Sequence, residues 1–305
     1  MKNIALILIL MISITGCELE FGKTSISKSP AQTAPEIDTS KTVYFGVQAP
    51  RGEANAISRW SEFGRYLQTK IGKSVSIVPL KPNKTVSKMQ SGEIDFMLSN
   101  PTLAAVMVKK GESLPIATMN RKSGHQLAGV IISKKGSGIT KAKDLIGKRV
   151  MGFKFRKSAA AYIFQVKHLM DQGIDPHKDF KEFVQASKQD RIIDAVKDGS
   201  IDAGFIKSGL LEAVAAEGKI SLDDFIIVDQ KHDDFPLLHT TELYPSWTVT
   251  AGKHVDVSMV KEIKSALLDV HFNKMVTKAS KIMGFIEPEN MDSLLATLEQ
   301  LGLMK

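Results

Sequence analysis

From Lys41 onward the chain alternates short apolar runs with amphipathic stretches roughly every 20 residues, and this alternation restricts the fold more than any other feature. Residues 42–47 (TVYFGV) and 75–80 read as strands. Between them Ile57, Trp60, Phe63, Leu67 and Ile71 recur at helical spacing. A short helix is predicted over 84–90 and a third strand over 94–98. Asn100-Pro101-Thr102 then supplies a cap residue before a proline at the first helical position. The pattern resumes with strands over 128–132, 149–152, 183–185 and 201–206, and helices over 157–172, 189–197 and 208–217. Gly173-Ile174-Asp175-Pro176 is a helix stop. Residues 235–238 and 248–251 are strand-like, and 257–301 read as helical. Parallel βαβ units, and hence an α/β fold, follow from this order.

The alternation contains an echo. Ser91-Gly92-Glu93-Ile94-Asp95 and Asp198-Gly199-Ser200-Ile201-Asp202 each follow a helix and open a buried strand. Gene duplication and shared βαβ chemistry both account for it. At 305 residues the chain exceeds one ordinary core. Two lobes are therefore predicted, 41–126 plus 234–305 and 127–233, joined by hinge strands near Gln126–Ala128 and Lys231–Phe235.

The N-terminus has a separate logic. Lys2 and Asn3 precede an almost wholly apolar run from Ile4 to Ile14, and Thr15-Gly16-Cys17 follows. That run is too short for a hydrocarbon core, which needs about 20 helical residues. Residues 1–16 therefore read as a signal peptide. Cys17, placed as in a bacterial lipobox, reads as the acylated (palmitate-bearing) N-terminus of a lipoprotein, with a free thiol as the alternative. It is the single cysteine, so neither a disulfide nor a cysteine zinc site can form within the chain. Residues 18–40, rich in Ser, Thr, Pro and Ala, read as a tether of roughly 25–30 Å.

Removal of Lys2 with the leader leaves 40 basic and 33 acidic residues, a charge of +7. Such an excess suits an anionic ligand, nucleic acid or an acidic membrane surface, but the basic residues are spread out and no nucleic-acid fingerprint accompanies them, so nucleic acid is not expected. Enzyme signatures are missing: the sequence has no GxSxG elbow, P-loop, HExxH or GxGxxG turn. His125, His168, His177, His232, His239, His254 and His271 lack ligand spacing, and Asp233-Asp234 reads as a solvated turn. No catalytic residue, metal or cofactor is expected.

Ligands of open α/β sheets lie beyond the carboxyl ends of strands, where helix N-termini present free N–H groups. The candidate ligand residues are accordingly Arg51, Ser99, Asn100, Thr102, Arg156, Lys157, Ser158, Gln189, Lys207, Ser208 and Trp247. Ser99, Asn100, Ser158 and Ser208 fit equally well as helix caps. Arg51 and Arg156 fit either an anion clamp or solvated loops. Trp60 and Tyr44 read as packing residues, and for Trp247 packing and ligand stacking stand level.

The chain resembles the phosphate/phosphite/phosphonate-binding (PhnD-like) periplasmic substrate-binding proteins of ABC transporters, near the branch of tetrathionate-type sensor-kinase domains. The likeness is carried by Phe45-Gly46-Val47, Arg51-Gly52, Trp60, Gly92-Glu93-Ile94-Asp95-Phe96 and Ser99-Asn100-Pro101. It continues through Leu145-Ile146-Gly147-Lys148-Arg149, Gly173-Ile174-Asp175-Pro176, Asp194-Ala195-Val196, Asp198-Gly199, Asp202-Ala203-Gly204, Gly209-Leu210-Leu211-Glu212 and Leu243-Tyr244-Pro245-Ser246-Trp247. The resemblance implies a type II periplasmic-binding-protein fold of two lobes with mostly parallel sheets. It implies capture of a small oxyanion (phosphonate-, phosphite- or phosphate-like) by hinge closure, in a monomeric lipoprotein of the bacterial cell envelope that serves an ABC permease. The alternative it implies is a ligand-sensing lipoprotein feeding a sensor histidine kinase. Where the transporters carry a hydroxyl-rich turn, this chain has Lys157-Ser158-Ala159-Ala160, and where they carry a histidine it has Gln189. The Arg51-Gly52 and Tyr244–Trp247 segments point to a different oxyanion or small polar solute. With no membrane helix or kinase domain following, the free-standing form is expected.

Overall fold

The computed structural model describes residues 37–50, 52–81 and 84–304. The lipidation candidate Cys17 and the ligand candidate Arg51 lie outside them. No helix among the described residues is long and apolar enough to cross a membrane.

The first lobe opens with β1 (Asp38–Gln48), α1 (Glu53–Ile71), β2 (Lys73–Leu80), α2 (Thr85–Gln90), β3 (Phe96–Ser99), α3 (Pro101–Lys109) and β4 (Ser113–Asn120). β5 (Gln126–Leu127) leads across to β6 (Gly129–Lys134) and β7 (Arg149–Phe153). A π-helical turn, Ala159–Ile163, precedes α4 (Phe164–Met170) and α5 (Pro176–Asp179). There follow β8 (Glu182–Ala186), α6 (Asp190–Asp198), β9 (Ala203–Lys207), α7 (Leu210–Ala216) and β10 (Phe225–Ile227). The chain returns through β11 (Tyr244–Pro245) and ends with β12 (Thr248–Gly252), α8 (Val257–Asp269), α9 (Lys274–Ser280), β13 (Gly284–Ile286) and α10 (Asp292–Gln300).

Two sheets result, ordered β13-β4-β12-β3-β1-β2 and β10-β6-β9-β7-β8, with β11-β5 as a separate ribbon. β1 is parallel to β2 and β3, and β7 to β8 and β9, as βαβ units require. β12 and β6 are antiparallel to their neighbours. Both come directly from the ribbon and enter their sheets at the end where the parallel strands finish, so they must run the other way. The sheets are therefore mixed rather than mostly parallel.

Three expectations need correction. Strand β1 starts at Asp38, inside the predicted tether, because Asp38 pairs with Lys73 before a bulge resets the register at Val43. Residues 235–238 form no strand: Phe235 N–H donates to Asp233 Oδ1 (3.0 Å), Pro236 has no N–H, and Leu238 N–H donates to Glu212 Oε1 (2.8 Å). The return crossing also comes later than Lys231–Phe235. Thr240 and Thr241 N–H groups still donate to Gly129 O of the second sheet (2.9 and 3.2 Å), and Tyr244–Pro245 is what pairs with β5.

The sequence echo is one device used twice. Asp95 Oδ2 accepts from Tyr44 N and Asp202 Oδ2 from Arg149 N, each at 2.8 Å. Asp95 N donates back to Tyr44 O (2.9 Å) and Asp202 N to Arg149 O (3.0 Å). Each aspartate thus ties the start of its own strand, β3 or β9, to the neighbouring strand, and the left-handed Gly92 (φ 74°) and Gly199 (φ 83°) turn the chain into place.

In the first core Phe63 on α1 meets Phe45 and Trp60 edge-to-face at 5.3 and 5.4 Å, which fixes Trp60 as a packing residue. A second cluster, under α6, fills one face of the second sheet. A third joins its other face to α3, Tyr244 and α10.

Candidate functional site

The ribbon determines which sheet ends confront each other. β5 leaves the carboxyl end of β4 and enters the amino end of β6, while β11 delivers the chain to the amino end of β12. The facing ends are therefore those of β1, β3 and β4 on one lobe and β7, β8 and β9 on the other. Tyr244 braces this junction, stacked on Phe164 at 3.9 Å and sharing a hydroxyl hydrogen bond with Thr297 (3.1 Å).

On the first lobe Ser99 is fully buried at the end of β3. Asn100 caps α3: its Oδ1 accepts from Leu103 N (3.1 Å) and from the Thr102 hydroxyl (2.6 Å). Its own N–H and Nδ2 both donate to Gln48 Oε1 (3.0 and 2.9 Å). Gln48, the last residue of β1, thus ties two loop starts together. Only contact geometry reveals that role, which the sequence reading missed. For Asn100 and Thr102 the capping role is real and leaves little of either side chain uncommitted. Asn100→Ala is expected to lower stability by about 1–2 kcal/mol, read from the denaturation midpoint. A change below a few tenths would mean that the Gln48–Asn100 link bears no weight. Trp247 is half-buried against the first core, and its carbonyl accepts from Met119 N (2.7 Å).

The second lobe is arranged differently. After β7 the chain makes a tight turn in which two residues other than glycine have positive φ, Lys154 at 44° and Arg156 at 61°. Each such conformation costs about 1 kcal/mol or more and persists only where its surroundings impose it. The restraint comes from Lys157 N and Ser158 N, which both donate to Lys154 O at 3.0 Å, and from Phe155 N, which donates to Gln185 Oε1 at 2.7 Å. Arg156 and Lys157 are exposed on this turn. Ser158 precedes the π-helical turn, yet its side chain makes no capping bond there. The turn is five-residue in register, with Ile163 N donating to Ser158 O (3.0 Å). The continuous helix predicted over 157–172 is thus split into this wider turn and α4, and such bulges concentrate at functional sites.

Arg156 is not wholly free. Its Nη2 donates to Gly302 O (3.2 Å), beyond α10. Gln189 accepts from Lys207 N at 3.0 Å, and Ser208 Oγ from Ala128 N at 3.2 Å. These two side chains lock the end of β9 to α6 and to the crossing strand. Lys207 is exposed beside them. Of the predicted hydroxyls, Ser158 is the one without a local structural task.

A cavity of about 420 Å³ lies beside the ribbon, lined by residues 123–126 and 233–236 with Leu243, and none of the predicted ligand residues lines it. Asp233 in its wall accepts from the Phe235 N–H and is paired with His239 Nε2 (3.0 Å), contacts that hold its carboxyl below the usual range. Asp233 and Asp234 give this cavity an anionic wall, which does not suit an anion. Among the described residues no group of three His, Cys, Asp or Glu converges on a metal position.

The family model for the periplasmic substrate-binding protein of phosphonate ABC transporters matches residues 45–293. The chain belongs to this family. Its relatives include the tetrathionate sensor histidine kinase TtrS of Salmonella typhimurium, 29% identical over 234 residues. That match takes in 74% of this chain and 39% of the kinase, so the chain spans well under half the length of that relative. Among solved structures, XAC2383 of Xanthomonas citri bound to ATP superposes with a TM-score of 0.71 at 14% identity, covering 86% of this chain and 98% of the other. PhnD1 of Prochlorococcus marinus in complex with methylphosphonate gives 0.65 at 15% identity, covering 86% and 99%. At those identities the superpositions establish the shared two-lobed α/β fold. The family's members are periplasmic binding proteins.

Proposed function

We propose that this protein is the substrate-binding lipoprotein of an ABC-type uptake system, closing its lobes on a small phosphonate-, phosphite- or phosphate-like oxyanion. The observation that carries this reading is the strained cationic turn of residues 154–158. It carries Arg156, Lys157 and the Ser158 hydroxyl just past the carboxyl end of β7. Membership of a family of binding proteins supports capture without chemistry, and acylation at Cys17 would keep the receptor beside its permease. Closure requires that the ligand favour the closed state by touching both lobes.

Arg156→Ala and Ser158→Ala are each expected to weaken ligand binding about tenfold or more, the worth of a hydrogen bond to a charged group. The melting temperature of the unliganded protein should hardly move. A thermal-shift survey of phosphate, phosphite, methylphosphonate and sulfur oxyanions identifies the ligand, because binding stabilises by mass action. Equal calorimetric affinities in both variants and the wild type would remove this turn from the site.

A second reading is favoured by the 29% match to a tetrathionate sensor kinase: the lipoprotein would report its occupancy to a sensor kinase. Co-purification with a kinase rather than a permease distinguishes the two.

A further inference from the structure

After α8 the chain passes through a single turn, Val270–Phe272, into α9 and on to Met283, just before β13. Phe272 is the most exposed large apolar side chain among the described residues, at 76%, and Met275 and Met283 follow it at 66% and 52%. The fold draws these positions together. The His271 ring stacks on Phe272 at 3.9 Å, and its Cβ lies so close to Gly284, next to Met283, that a Cβ added there would stand 3.0 Å away. Val276, Thr277 and Ser280 are the buried face of α9, which leaves Lys274, Met275 and Lys278 on its outer face with Lys281 just beyond. A single exposed apolar side chain is ordinary, whereas a group of three is a surface that something covers.

Charge decides what covers it. Residues 270–286 hold three lysines and no aspartate or glutamate. The flanking carboxylates are already engaged, Asp269 with Lys70 (3.5 Å) and Glu287 with Lys264 (2.6 Å). Lys274, Lys278 and Lys281 form no ion pair among the described residues. Apolar side chains set among unpaired cations match a bilayer interface, where anionic headgroups border acyl chains. The place of this surface in the fold agrees. Lys70 lies in the last turn of α1 and Gly72 caps it. Lys70 holds Asp269, three residues before Phe272, and Gly72 O accepts from Asp38 N (2.8 Å) where the chain enters the first sheet. Three residues of chain span at most about 11 Å. The chain leading back to Cys17 therefore joins the first lobe beside this surface.

We propose that Phe272, Met275 and Met283, with Lys274, Lys278 and Lys281, form a membrane-docking surface that lays the first lobe on an anionic bilayer. The surface is independent of which solute is bound, and from the reading above it takes only the anchor at Cys17. Each lysine near an anionic surface strengthens binding about fivefold, and a tether supplies the high local concentration at which so small a surface acts. None of these residues belongs to the β5–β11 ribbon, so docking leaves the second lobe free to close.

The test adds the full chain to vesicles of phosphatidylcholine, alone or mixed with phosphatidylglycerol, and follows amide hydrogen exchange. Exchange across residues 270–286 should slow about threefold or more on the mixed vesicles at low salt, and recover at high salt and on phosphatidylcholine alone. An acyl anchor enters both kinds of vesicle, so the difference reads docking. Two double variants, Phe272→Ser with Met275→Ser and Lys274→Gln with Lys278→Gln, should each abolish the slowing. Melting temperature and solute affinity should hold in both, because all four side chains are exposed. Slowing that is absent from wild type, or that survives in both variants, overturns the surface. Slowing without vesicles that grows with protein concentration assigns these residues to a second copy of the chain and overturns it equally. Mass spectrometry of Cys17 separates the two readings: an unacylated Cys17 with the slowing intact removes the anchor and keeps the surface.

Discussion

Gly129→Ala is expected to cost about 2–4 kcal/mol, although it adds a single methyl group at the entry to β6. The added Cβ would stand 2.5 Å from the Gln165 side-chain amide. Gln165 cannot yield, because it is completely buried and its Nε2 donates to Val130 O, Ala160 O and Ile206 O at 3.3, 3.0 and 2.8 Å. Those acceptors come from β6, the π-helical turn and β9, so moving the amide unties three elements at once. Overpacking of this kind costs about 1–3 kcal/mol, and stranding buried polar groups adds a comparable amount. Gly129 also carries the hinge, with its N–H donating to Thr241 Oγ1 (2.9 Å) and its carbonyl receiving Thr240 and Thr241. Denaturant unfolding of a double-mutant cycle checks the cause. In a Gln165→Ala background the glycine substitution should become nearly neutral, since the colliding group is gone. Undiminished destabilisation there would locate the damage in the hinge backbone instead.

The same region shows how far sequence reasoning reaches. Strand–helix alternation and the two Asp-terminated echoes revealed the repeated architecture, since their hydrophobic periods and glycine turns are local. β4 has no counterpart among the predicted strands, and its run is interrupted by Pro115. Pro115 sits at the register shift between β4 and β12, where the ladder tolerates a missing N–H. The capping reading of Asn100 was recoverable from Asn-Pro-Thr, whereas its second partner Gln48 lies 52 residues away. The π-helical turn was illegible for a similar reason. Just beyond it Gln165 packs under Gly129 and donates back to Ala160 O of the turn, and the first of these contacts joins residues distant in sequence. Strand-end logic selects loops that do follow β3, β7 and β9, but it cannot separate a hydroxyl with a structural duty (Ser208) from the uncommitted Ser158.

Leu294→Ala is expected to cost about 2–5 kcal/mol, the range for deleting a fully buried leucine side chain. Unlike an ordinary core truncation, it should loosen both lobes together. Leu294 and Leu298 on α10 share a cluster with Ala104 and Ala105 of α3 and with Phe164 and Leu169 of α4. Polar contacts run the same way: Gln300 Nε2 donates to Asp171 Oδ1 at 3.0 Å, and Glu299 pairs with Lys109 at 3.0 Å. Helix α10 thus bridges elements of the two sheets on the far side of the ribbon. Ile263→Ala on α8 is the proper comparison, since Ile263 is equally buried but its cluster lies within the first sheet. Hydrogen exchange should show Leu294→Ala deprotecting α3 and α4 alike, with Ile263→Ala deprotecting β4 and β12 and sparing α4. Because Arg156 is held by Gly302 just past α10, the strut and the turn of residues 154–158 are physically continuous. Loosening α10 should therefore also free Arg156 and alter ligand affinity, whereas Ile263→Ala should leave affinity unchanged at matched loss of stability. Protection of α4 that persists in Leu294→Ala would reduce α10 to a first-lobe helix that merely touches its neighbour.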